Sequence, residues 1–211
     1  YILVTDRKPI GHNGHWIEQT LPADAELNCI SYIDKDNGWI LGNNNGTSII
    51  FSTIDGGSNW SIKYQGSDFG VARNLIFTDN NNGWLIGGDS GNGSGSIYHS
   101  SDGGESWEQQ QIPSDYTSKI RFIDSKNGWA KGDGLFKTIN GGKSWSQIEI
   151  NYDTSEWYLS SFFLLDANTG WVLLGNRFVG AYLIFRTNNG GKNWIECGSE
   201  DYCGEVFFTN N

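Results

Sequence analysis

Two short stretches of this 211-residue chain hold the side chains best suited to grip a ligand. "NYDTSEWYLSS" contains Trp157 and Tyr158, and "GNRFVGAY" adds Arg177 and Phe178. Aromatic faces beside a guanidinium bind a sugar or a partner peptide. Tyr116 falls in register with Tyr158, each 13 residues before a repeated Trp, and Arg73 and Arg121 lie at or near the starts of strands. Glu156 and Asp153 are the carboxylates nearest this cluster, but nothing in their spacing marks them as the facing pair a glycosidase needs.

Other stretches imitate chemistry and fail its requirements. "DKDNG" (Asp34 to Gly38) has the start of a calcium loop, but its equivalents "DNNNG", "DSKNG" and "DANTG" lose the acidic ligands and no Glu follows at the required place. "GGDSGNGSGS" (Gly87 to Ser96) is glycine-rich like a phosphate loop, but no helix follows and no Lys-Ser/Thr closes it. No Cys/His set has zinc spacing, and no cofactor motif is present.

The elements that must position these residues come from a repeat. "TIDGGSNW", "SSDGGESW", "TINGGKSW" and "TNNGGKNW" share one pattern: Ser/Thr, any, Asp/Asn, any, Gly, any, any, Trp. The pattern residues are Asp55, Gly57 and Trp60; Asp102, Gly104 and Trp107; Asn140, Gly142 and Trp145; Asn189, Gly191 and Trp194. "GHNGHW" (Gly11 to Trp16) is a degenerate fifth copy. A second motif interleaves: "YIDKDNGWILG", "FTDNNNGWLIG", "FIDSKNGWAKG" and "LLDANTGWVLLG", whose Trp39, Trp84, Trp129 and Trp171 stand 45, 45 and 42 residues apart. That is the unit length of a propeller blade.

Each unit parses into four short strands, a to d. In strand a, as in "NLIFTD", period-two alternation puts Leu75 and Phe77 on one face. The Asn/Gly cluster turns into strand b, and the Asp-Gly-Gly corner joins c to d. In that corner the Asp is expected to accept hydrogen bonds from turn amides and the second Gly to take a conformation closed to residues with Cβ. The Trp is expected to start strand d and to pack between sheets.

These two motifs in fixed order resemble the Asp-box, or BNR, repeat, and most closely the photosystem II stability/assembly-factor family. The resemblance implies an all-β propeller with the corners on the outer part of each blade. "GEVFFTNN" (Gly204 to Asn211) reads as a further strand a, and "YILVT" with "GHNGHWIEQ" as strands c and d. We therefore expect one domain over residues 1–211, of five four-stranded blades, the last shared by the two termini. A fragment of a larger propeller is the alternative.

The charge of −10 argues against nucleic-acid phosphates as a partner. No apolar run is long enough to cross a membrane. With no Met and no signal peptide, Tyr1 reads as a processed start. Of three cysteines, Cys197 and Cys203 are the first choice for a disulfide and Cys29 with Cys203 the second; either implies an exported protein. The expected function is a monomeric, non-catalytic module that binds a protein or a glycan. The alternative is a sialidase-like glycosidase, which lacks here the arginine triad and Arg-Ile-Pro segment that the resemblance to sialidases would imply.

Overall fold

The computed structural model describes residues 2–5, 16–88 and 95–201, with side chains over 18–88 and 95–199. Every element among them is a strand. A hairpin of β1 (Ile2–Thr5) and β2 (Trp16–Gln19) comes first, matching the c and d strands expected at the N-terminus. Four antiparallel four-stranded sheets follow. The first holds β3 (Glu26–Tyr32), β4 (Gly38–Asn44), β5 (Thr47–Thr53) and β6 (Ser61–Gly66). The second holds β7 (Asn74–Phe77), β8 (Gly83–Gly87), β9 (Ser96–Ser100) and β10 (Glu108–Gln110). The third holds β11 (Lys119–Phe122), β12 (Gly128–Lys131), β13 (Leu135–Thr138) and β14 (Ser146–Ile148). The fourth holds β15 (Trp157–Leu164), β16 (Gly170–Asn176), β17 (Ala181–Thr187) and β18 (Ile195–Asp201). Gly204 to Asn211, assigned above to the strand that completes a fifth sheet, lie outside the described residues, as does Cys203.

The chain divides into two compact units: Tyr1–Ser90 with Tyr98–Glu108, and Gly91–Ile97 with Gln109–Asn211. In the first unit Trp39, Leu41, Ile50, Phe69, Leu75 and Phe77 form the main core. The Phe77 ring stacks on Trp39 with centroids 3.9 Å apart and planes 8° from parallel. Polar bonds join the same two sheets: the Phe77 N–H donates to Ser31 Oγ, and the Cys29 thiol to the Leu75 carbonyl. In the second unit the core gathers around Trp129, Leu159, Phe162, Val172 and Leu174.

The four repeated corners have one design. Thr53 Oγ1 donates to Asp55 Oδ1 at 2.8 Å and accepts the N–H of Gly57 at 2.9 Å. Asp55 then accepts the N–H of Asn59. The same bonds recur at Ser100, Asp102 and Gly104, at Thr138, Asn140 and Gly142, and at Thr187, Asn189 and Gly191. Both glycines of each corner sit at positive φ, for example 77° at Gly103 and 97° at Gly104, so the requirement expected of the second glycine extends to the first. Each closing Trp precedes strand d by one residue instead of starting it, since β10 begins at Glu108. These indoles are only partly buried at Trp107, Trp145 and Trp194, whereas Trp84 and Trp129 of the second motif are 0% and 1% exposed.

A further bond, invisible in the sequence, locks the two motifs of each sheet together. The first glycine of the corner donates its N–H to a carbonyl of the a–b turn: Gly56 to Asp36, Gly103 to Asn81, Gly141 to Lys126, Gly190 to Asn168, all within 2.8–2.9 Å. The a–b turn is itself set by Asp34, Asp79, Asp124 and Asp166, each accepting two backbone N–H groups.

The acidic corners confer a pH dependence. Burial pushes the Asp102 carboxyl up, but bonds from the Ser106 hydroxyl and N–H, the Ser100 hydroxyl and the Glu105 N–H outweigh it and hold it at about 2. A carboxyl lowered on folding stabilises the fold above its unfolded value near 3.8, and that contribution is lost as pH falls towards 2. Asp102 is exposed, so solvent screens much of the effect. Asn140 and Asn189 keep the acceptor without a charge. We expect Asp102→Asn to leave the urea midpoint at neutral pH little changed and to flatten its fall between pH 4 and pH 2. A fall as steep as that of the unsubstituted protein would assign the acid sensitivity elsewhere.

Candidate functional site

The second unit brings two of the predicted binding residues, Tyr158 and Arg177, together through two bonded loops. Before β15, the Asp153 carbonyl accepts the N–H groups of Glu156 and Trp157, and the Asp153 carboxylate accepts the N–H and hydroxyl of Ser155. The Ser155 hydroxyl and N–H hold this carboxyl below its ordinary value, with burial a weaker opposing influence. The other loop is the tip of the β16–β17 hairpin. Asn176 Oδ1 accepts the N–H groups of Phe178 and Val179 and so fixes the tip. Arg177 joins the loops: its N–H donates to the Glu156 carbonyl at 2.8 Å and its Nε to the Thr154 carbonyl at 3.3 Å.

This scaffold displays apolar surface. Phe178 is 76% exposed and Val179 64%. Two other b–c hairpins turn through Asn45-Gly46 and through Gly132, Asp133 and Gly134, residues chosen for their backbone. The tip residues Phe178 and Val179 serve the turn through their N–H groups and leave two apolar side chains uncovered. Tyr158 lies across Gly175, where a Cβ would meet its ring at 2.7 Å, and the Arg177 guanidinium stands 5.6 Å from the ring centroid. Tyr152 borders the same cluster: burial pushes its phenol up, the Arg177 charge opposes this, and Tyr116 adds to it.

The predicted residues divide accordingly. Tyr158 and Arg177 meet; Tyr116 is exposed, and its effect on Tyr152 is electrostatic only. Trp157 pairs opposite Asn176 but is half-buried against the core, so it supports the face more than it forms it. Arg121 is taken up between sheets: its Nε donates to the Leu164 carbonyl at 2.8 Å and its guanidinium packs 4.6 Å from the Phe163 centroid. Arg73 lies in the first unit, exposed, with its N–H on the Ile86 carbonyl. Tyr152 and Val179 carried no repeat signal and were missed. The clue for Val179 was an apolar pair between Asn176 and Gly180, where a turn sequence is expected.

A tyrosine–carboxylate pair does occur in the first unit, where Tyr64 donates to Asp68 Oδ2 at 2.8 Å. Burial, then the Asp68 bond and charge, push this phenol up to about 12, away from what a nucleophile requires. No three His, Cys, Asp or Glu side chains gather as a metal site among the described residues.

The family model of the photosynthesis system II assembly factor YCF48 matches residues 9–113. Among solved structures the chain is similar to YCF48 from Cyanidioschyzon merolae, at 20% identity and a TM-score of 0.54, over 84% of this chain and 57% of that one. It is similar to a protein from Lactobacillus plantarum at 14% identity and a TM-score of 0.57, over 93% and 64%. A GH74 xyloglucanase from Xanthomonas campestris matches at 11% identity and a TM-score of 0.53, over 81% and 30%. These likenesses show the β-propeller fold, and the chain spans less than two thirds of each of those structures. No curated protein matches it.

Proposed function

From the premise that this chain is a BNR-repeat β-propeller of the photosystem II assembly-factor type, we propose that it is a non-catalytic module that binds a partner protein. The binding face is the fixed β16–β17 tip with its neighbouring tyrosines. One observation carries this reading: Phe178 and Val179 stand uncovered on a tip held by three backbone bonds. Rigid display avoids most of the ordering cost of binding, and an aromatic residue beside an arginine has the composition of an interface hot spot. Catalysis finds less support. Asp153 spends its carboxylate on its own loop, and the Tyr64 phenol is held protonated. An exported location belongs to the same proposal and is tested by a non-reducing peptide map for a Cys197–Cys203 bridge.

The test of function is affinity capture from source extract, with a glycan array in parallel. Phe178→Ser and Tyr158→Ala should each lose the captured protein at least tenfold while the thermal midpoint holds. Equal capture by both variants would remove the face from the proposal. Turnover of an aryl glycoside by the purified chain would replace binding with catalysis.

A further inference from the structure

The first unit contains a cavity of about 590 Å3 whose chemistry complements the Phe178 tip. Its size falls within the ~300–1,000 Å3 of ligand pockets. Glu18, Asp24 and Glu26 line it with carboxylates, while Leu21 and Leu27 supply apolar surface. Among the described residues that line it there is no lysine or arginine. The tip offers the opposite set: one guanidinium, followed by two exposed apolar side chains. Arg177 spends its Nε and backbone N–H on loop carbonyls and makes no ion pair among the described residues, so its terminal nitrogens remain to grip a carboxylate.

We propose that the occupant of this cavity is the β16–β17 tip of a second copy of the chain. This rests on reading the tip as a docking surface and names its partner. Phe178 and Val179 enter against Leu21 and Leu27, and Arg177 pairs with the carboxylates at the rim. The contact is heterologous, because the tip of one copy meets a different surface of the next. It departs from the monomer expected from sequence. The charge of −10 repels copies at long range, but at about 0.15 M salt that repulsion is screened beyond about 8 Å, while the close pairs persist.

The test is sedimentation equilibrium at that ionic strength on the whole chain and two exposed-site variants. Phe178→Asp spoils the tip and keeps the cavity; Glu26→Lys spoils the cavity and keeps the tip. The unsubstituted chain should gain mass with concentration, and each variant alone should remain at monomer mass. An equimolar mixture of the variants should reach twice the monomer mass and stop, since one good tip and one good cavity remain. An unsubstituted chain that stays monomeric throughout, or variants that associate as it does, would overturn the proposal. If the chain stays monomeric while Phe178→Ser still loses a foreign partner, only the self-contact fails and the binding face stands.

Discussion

Replacing Trp39 with alanine is expected to destabilise the first unit by about 4–5 kcal/mol, near the top of the range for buried aromatics. Trp39 is 4% exposed and its ring stacks flat on Phe77, so its removal opens a cavity between two sheets. Its indole N–H also donates to the Gly103 carbonyl at 2.9 Å, inside the corner of the second sheet. Alanine therefore removes packing within the core and a polar tie between two repeats at once. Trp39→Phe separates the two effects: it keeps most of the ring contact and should cost only about 1–3 kcal/mol. Urea unfolding followed by far-ultraviolet circular dichroism measures both. Equal losses for the two variants would mean that the hydrogen bond, and not the ring, carries the position.

Sequence periodicity exposes whatever is local and repeated. Alternation in "NLIFTD", the Asn/Gly turns and the Asp-Gly-Gly corners each act within a few residues, and each appears where expected. What the sequence hid depends on register or on a neighbouring sheet. The bond from Gly56 to the Asp36 carbonyl joins turns 20 residues apart in sequence. Arg121 and Arg177 look alike as letters; one lies on β11 and donates across to the Leu164 carbonyl of the next sheet, the other stands on a hairpin tip. Trp157 reads from sequence as a ligand-gripping aromatic, yet it packs against the core edge, and Phe178 is the more exposed ring. The candidate face was thus legible in its loops and less so in its order of importance.

The glycine before the repeated Trp shows how much register decides. Tyr32, Phe77 and Phe122 at the ends of strands a pair directly opposite Gly38, Gly83 and Gly128 at the starts of strands b. In each pair the ring lies across the glycine: a Cβ there would meet it at 2.6, 2.4 and 2.5 Å. The fourth copy breaks the rule, because Leu164 stands opposite Gly170 and Trp129 of the preceding sheet fills the space. Gly83→Ala should therefore destabilise by about 2–3 kcal/mol through overpacking, although alanine suits a strand interior better than glycine. Phe77 has no easy retreat, since Trp39 lies stacked against it and Trp107 stands edge-on at 6.0 Å. If the clash is with the ring, shortening the ring must relieve it. The Gly83→Ala, Phe77→Leu double variant should then be more stable than the sum of the single losses by about 1–2 kcal/mol, the coupling of residues in contact. Additive losses in urea unfolding would show that the glycine is required by its backbone and not by the aromatic side chain that covers it.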